Sequence, residues 1–238
     1  GDKRLGPGIP SICVKNLTFT YPGREEPTLR DACFSIDAGE KVALVGPDGS
    51  GETTLLRLLC GLYKITLGDI YYDGVSIKSL ARGELKNKIS ALFEDFVRYN
   101  MSLRKSIVIS DSKRDFDRKL YNKVLRVALL DRWIAREGIT DSQILGRVQK
   151  GGMEISAAHW QRIALARCLY RNRSVFFMDE PLSLVDNVKR KRILRNILDF
   201  VGERTLVVTL HGLEEVNMFD RLFRVSSGRI SEISLSKD

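Results

Sequence analysis

The chain contains no apolar run approaching the ~20 residues that a bilayer-crossing helix needs. Nor does it open with the basic start, apolar core and small-residue cleavage site of an export leader. It therefore reads as neither spanning a membrane nor carrying an export signal. Its start at Gly1, and not at methionine, leaves room for a membrane domain elsewhere in a longer protein. Cysteine is sparse: Cys13, Cys33, Cys60 and Cys168 lie far apart, with no C-x-x-C pair and no histidine beside them. Neither a zinc site nor a disulfide framework is supported, which points to a reducing compartment. No internal repeat or low-complexity tract is present.

What is there is an ordinary globular composition, 43% hydrophobic and 29% charged over 238 residues. That is enough to bury a substantial core, in one domain with room for a subdomain. Lys and Arg outnumber Asp and Glu by 39 to 30, a net +9. Such an excess suits nucleic acid, an anionic membrane face or an acidic ligand. The basic residues are scattered, however, and form only one dense cluster, Lys189-Arg190-Lys191-Arg192, so a solvated surface is the better reading.

Residues 1–11 are rich in glycine and proline and read as a linker or disordered arm, with the folded domain over 12–238. Residues 13–21 and 32–36 alternate as strands do, separated by Pro22-Gly23, and predict an antiparallel opening sheet. The run 41–45 is short, apolar and followed by glycine, as a buried parallel strand should be. Leucines at helical spacing follow over 53–62. Residues 115–130 carry Phe116, Leu120, Val124, Val127 and Ala128 on one helical face. That fits a mainly helical insertion over about 100–150. Beyond it, 160–170 predicts a helix, 174–178 a buried strand, 189–200 a helix, 205–210 a strand and 222–233 a hairpin about Ser227-Gly228. Strands alternating with helices make an α/β core.

Two motifs carry chemistry. Gly46-Pro47-Asp48-Gly49-Ser50-Gly51-Glu52-Thr53-Thr54 has the outline of a phosphate-cradling loop between a strand and a helix, with Glu52 where a lysine normally reaches the phosphates. The run Val175-Phe176-Phe177-Met178 then delivers Asp179 and Glu180 to the end of a buried strand. In open parallel sheets ligands bind at that end. An aspartate there holds Mg²⁺ in phosphate-loop enzymes, and a neighbouring carboxylate can orient water.

With these motifs in order, the sequence resembles the nucleotide-binding domain of an ATP-binding cassette (ABC) transporter of the exporter type, along nearly its whole length. The resemblance implies a RecA-like P-loop NTPase core with an antiparallel β subdomain, and it extends the helical insertion to a helical signature subdomain over roughly 96–170. It places Tyr21 of FTYPG against adenine. Gly46, Gly49, Ser50, Gly51, Glu52, Thr53 and Thr54 fall in the phosphate loop, and Glu94 of ALFEDF at the position of a switch-loop glutamine. Ser156 of EISAAHW lies in the family signature, and Asp186 of LSLVD faces the dimer. By the same similarity Thr53, Glu94 and Asp179 ligate Mg²⁺, while Glu180 and His211 of TLHG serve hydrolysis. Two such domains would meet head to tail, beside an exporter's transmembrane domain, at the cytoplasmic face of a membrane. No nucleic-acid partner is expected, since there is no second cassette or long charged linker.

The departures from the family pattern bear on activity. Ala157 and Ala158 replace signature glycines, and a Cβ hinders close approach to a phosphate. Glu94 is a tolerable change, because hard cations favour charged oxygen. Glu52 is the serious one. Losing a lysine–phosphate bond forfeits about 1.5–3 kcal/mol, and a carboxylate about 4 Å from a phosphate adds repulsion of roughly 4 kcal/mol at an effective dielectric near 20. Affinity for ATP and Mg²⁺ is therefore expected to fall by about a thousandfold or more. The expected function is an ATP-binding cassette coupled to membrane export, with nucleotide binding and turnover impaired. The alternative is a non-hydrolysing or regulatory cassette in a heteromeric transporter. A cation held by Asp48, Glu52, Glu94, Asp179 and Glu180 without nucleotide is a less favoured reading. Tyr21 has a plain alternative as packing against the opening sheet, and His159 as a surface or capping residue.

Overall fold

A computed structural model describes residues 1–147 and 151–234. They fall into two compact units, one of 1–91, 173–180 and 201–234, the other of 92–147, 151–172 and 181–200.

The first unit holds two sheets. β1 (Ile12–Phe19) and β2 (Leu29–Ile36) pair antiparallel, with Ile12 opposite Ile36 and Val14 opposite Phe34. Their inward positions Ile12, Val14, Leu17, Leu29 and Ile36 are at most 2% exposed. Burial alternates within Ile12–Val14 and again within Leu17–Phe19, and a register shift between Val14 and Leu17, where Asn16 takes φ 48°, moves the pattern by one residue. β4 (Leu67–Tyr72) and the two-residue β5 (Val75–Ser76) complete a sheet of order β2-β1-β4-β5. Short helix α2 (Glu84–Lys88) follows. Residues 3–8, despite linker-like composition, are tied to this unit. Lys3 N–H donates to Ser79 O, Leu5 N–H to Glu84 Oε1, and Lys88 Nζ to Gly6 O and Gly8 O.

The second sheet runs β10-β9-β3-β8-β7-β6, built from β3 (Lys41–Val45), β6 (Ile89–Leu92), β7 (Val175–Met178), β8 (Thr205–Thr209), β9 (Arg221–Ser226) and β10 (Arg229–Ile233). β3 is parallel to β8 and β9, and β7 to β8. Every residue of β7 and β8 is buried, which explains their unbroken apolar runs. β9 and β10 form the predicted hairpin. Ser227 and Gly228 both take positive φ, 49° and 75°, as a tight two-residue turn requires. Helix α1 (Glu52–Leu59) leaves β3 through the glycine loop and buries Leu55, Leu56, Leu58 and Leu59.

The second unit is helical: α3 (Leu103–Val108), α4 (Arg118–Val127), α5 (Asp131–Arg136), α6 (Ala157–Tyr170) and most of α7 (Asn187–Val201). α4 buries Leu120, Tyr121, Val124, Leu125 and Val127, the face that the periodicity marked, and Asp117 caps it by accepting from Leu120 N–H at 2.9 Å. Phe116 precedes the helix and is 41% exposed. α6 is buried almost all round, from Trp160 to Tyr170. Its Arg167 donates to Ser106 O at 2.6 Å and Val97 O at 3.0 Å, and stacks over Tyr99, fastening α3 and the segment before it to α6. Among the described residues no helix is long and apolar enough to cross a membrane.

Candidate functional site

Sheet register assembles the site in the first unit. Leu44 of β3 pairs with Thr209 of β8, and Met178 of β7 pairs with Val208. The loop after β3, Asp179-Glu180 after β7 and His211 after β8 therefore leave the carboxyl ends of three adjacent parallel strands, where open α/β sheets bind ligands.

The loop keeps a phosphate-cradle shape. A Cβ at Gly46 would lie 2.3 Å from Val225 O and 2.6 Å from Ser50 Oγ, so only glycine fits there. Gly51 enters α1 at φ 115°, and no side chain caps that helix, which leaves its first N–H groups to a ligand or water. Gly49 faces open space.

Glu52 begins α1. Its Oε2 accepts from Ser50 Oγ at 3.3 Å, whereas Oε1 is buried without a hydrogen-bond partner. Burial, reinforced by the negative charges of Asp179 and Glu180, pushes the Glu52 carboxyl from its ordinary 4.5 up to about 7, against the opposing pull of the Ser50 hydrogen bond and His211. Part of the population therefore carries a proton on Glu52 near neutrality.

Asp179 is 2% exposed; its Oδ1 accepts from Thr209 Oγ1 at 2.9 Å and its Oδ2 has no partner. The same Thr209 oxygen accepts from Glu180 N–H at 2.7 Å. Glu180 sits at φ 45°, a left-handed conformation that costs a non-glycine residue energy and that this hydrogen bond helps to hold. His211 Nε2 lies 2.5 Å from Glu180 Oε2, and its Nδ1 lies 4.0 Å from Asp48 Oδ1. A carboxylate held against imidazole at the strand ends is equipped to orient and deprotonate a water.

Tyr21 belongs to this unit, packed edge-on against Phe19 and Tyr63 at ring distances of 5.0 and 5.4 Å. Its hydroxyl lies 2.9 Å from Thr54 Oγ1, so the Thr54 side chain, 5% exposed, is spent on Tyr21. Thr53 is half-buried beside it.

Glu94, Ser156 and Asp186 belong to the second unit. Glu94 is exposed just past β6. Ser156 caps α6, accepting from His159 N–H at 3.3 Å, and its hydroxyl lies 2.7 Å from His159 Nδ1. Ala157 and Ala158 form the first turn of that helix. His159 stacks on Trp133 at 4.2 Å, and burial, with the charges of Arg162, Arg136 and Lys189, brings its imidazole down to about 4. Asp186 accepts from Lys189 Nζ at 2.8 Å and Lys189 N–H at 3.0 Å, which holds its carboxyl below the usual range.

Thr209 was not singled out in the sequence, where it looks like one more β-branched strand residue. Only the register reveals that it bridges the two carboxylate positions. Among the described residues, no three His, Cys, Asp or Glu side chains are grouped to hold a metal ion by themselves.

The chain is similar along nearly its whole length to known transport ATP-binding proteins. The subtilin transport ATP-binding protein SpaT of Bacillus subtilis is 32% identical over 230 residues, covering 97% of this chain and 38% of its own length. The nisin transport ATP-binding protein NisT of Lactococcus lactis subsp. lactis is 30% identical over 226 residues, 94% of this chain and 38% of that protein. A solved bacterial Atm1-family ABC exporter with ATP bound superposes with a TM-score of 0.85 at 27% identity, over 98% of this chain and 40% of that one. The chain thus spans about two-fifths of the length of the relatives it matches. The description "ABC transporter" matches residues 29–183, more than half of the chain, and the protein belongs to that family.

Proposed function

We propose that this chain is the ATP-binding cassette of a membrane exporter, with weakened nucleotide affinity. The observation that carries the reading is the 2.5 Å contact of His211 Nε2 with Glu180 Oε2 beside the glycine loop. It pairs a base with an orienting imidazole where the family places its reacting phosphate. Gly46, Gly49, Gly51 and the uncapped start of α1 would receive the phosphates. Asp179 Oδ2, buried and without a partner, suits a hard cation, as do the Thr53 hydroxyl and Glu94. Mg²⁺, when bound, would neutralise phosphate charge. Tyr21 offers an aromatic edge for the base, and Ser156 and Asp186 would serve a second cassette met head to tail. Leu184 and Val188, 48% and 83% exposed on either side of Asp186, suit such a partner-facing surface. A transmembrane domain, in the same protein or a separate subunit, would hold the pair at the cytoplasmic face of a membrane.

Glu52 limits this activity, because phosphate binding forces either its protonation or direct repulsion. Titration calorimetry of Mg-ATP into the chain and into Glu52→Lys, at matched salt, tests the reading. Lysine should raise affinity by about a thousandfold with the fold unchanged. Equal affinities would sink the charge argument.

A second reading, a non-hydrolysing cassette that supports an active partner, is favoured by Glu52 together with Ala157 and Ala158 at the start of α6. Mg-ATP hydrolysis no faster in the unaltered chain than in Glu180→Gln would establish it.

A further inference from the structure

We infer that the cleft between α4, α5 and α7 binds a phosphate-bearing anion, at a place separate from the glycine loop. The cleft is open to solvent and has a volume of about 470 Å³, within the range of small-ligand sites. Lys123 and Arg126 of α4, Arg132 of α5 and Arg192 of α7 line it. All four are exposed, and none forms an ion pair with a carboxylate among the described residues. Arg192 is the last member of the one dense basic cluster in the sequence, so the cleft gives that cluster a use.

The surrounding elements deepen the imbalance. α4 has four basic residues and no acidic one, and α7 has five basic residues and only Asp199. Asp131 and Asp199 also line the cleft and leave it with a net excess of two positive charges. Like charges facing across a concave surface repel, and a multivalent anion removes that repulsion. Three of the four cations are arginine, whose planar fork matches two phosphate oxygens at once. The floor is apolar: Val127, Leu129 and the buried Phe200, with Lys123 Nζ 5.1 Å above the Phe200 ring. Asn196 Nδ2 donates to Val127 O at 3.2 Å and ties α7 to the end of α4, fixing the walls. A cationic rim over an apolar floor fits a phosphate ester with an organic body, from either a soluble metabolite or a lipid headgroup.

The test compares the unaltered chain with Arg126→Glu/Arg192→Glu and Arg126→Gln/Arg192→Gln, each checked by thermal melting for an intact fold. Inorganic pyrophosphate is titrated in one arm. In the other, sedimentation measures binding to phosphatidylcholine vesicles with and without phosphatidic acid. Pyrophosphate binding that weakens on the order of a hundredfold in the charge-reversed variant supports the cleft. If acidic vesicles are also bound, and released by the same variant, the source is a lipid headgroup; if they are not, it is a soluble phosphate. Vesicle binding alone, lost in both variants, likewise supports the lipid source. Binding of both probes unchanged in the variants, or binding of neither by the unaltered chain, overturns the proposal. Glu52 and the glycine loop are untouched in these variants, so failure of this site and failure of the cassette reading are distinguishable.

Discussion

Glu52 stands half-buried at the start of α1, and that position has consequences for stability. Its carboxyl titrates near 4.5 in the unfolded chain and near 7 in the folded one. The folded state therefore holds its proton more tightly. That contribution is fully present below pH 4.5 and is lost as pH rises through about 7. The shift bounds the loss at about 3 kcal/mol, and partial exposure reduces it to on the order of 1 kcal/mol. Glu52→Gln should thus melt above the unaltered chain at about pH 8 and match it at about pH 4. Thermal denaturation at the two pH values checks this, and a pH-independent difference would contradict it. The charge reversal at Glu52 was legible in the sequence, as a wrong residue in a familiar pattern. Its orphaned Oε1 and the nearness of Asp179 and Glu180 were not, because both depend on which strands neighbour β3.

Elements set what each residue can do. Thr209 ends β8 opposite Leu44 and serves Asp179 and Glu180 with one hydroxyl. Thr209→Val keeps the shape and removes that oxygen, and with it the hydrogen bond from Glu180 N–H and the one donated to Asp179 Oδ1. A loss of about 1–3 kcal/mol in denaturant unfolding is expected, with little change in far-ultraviolet dichroism. At the start of α6, Ala157 and Ala158 favour the helix that glycines would loosen. Ala157→Gly/Ala158→Gly should cost about 0.5–1 kcal/mol per site by denaturant titration, even if it aids turnover with a partner cassette.

The strands with unbroken apolar runs, β3, β7 and β8, were legible almost to the residue. β4 was not read from the sequence, since Gly68 and Asp69 are poor strand formers and the strand exists through its pairing with β1. α1 stops at Leu59, short of the predicted 62, and Leu62 is 59% exposed. The His159–Trp133 stack joins residues too far apart in sequence for any local pattern to show.

At the scale of the whole molecule, the sequence order of motifs identified the cassette, and the two-sheet α/β architecture matched it. Periodicity marked a helical region within the second unit, but it tells where a helix is and not which unit it joins. The helix at 189–200 has the pattern of any amphipathic segment, yet with 181–200 it belongs to the second unit, after the chain has returned to supply β7 to the first. Neither unit is one continuous stretch of chain, which composition and spacing cannot reveal.

The flanked, largely buried strands at the centre of the second sheet carry a further consequence. β3, β8 and β7 lie side by side with β9 and β6 beyond them, so their amide hydrogens are sealed at both edges and on both faces. Those amides can meet solvent deuterium only when the sheet itself opens. Peptides covering 41–45, 175–178 and 205–209 should be the last to gain mass in a deuterium time course, and those covering the edge strand β5 among the first. The three loops that hold the carboxylates, the glycine turn and His211 thus spring from the least yielding part of the protein. A ligand arriving there finds its anchor points fixed in advance, and motion is left to the loops alone.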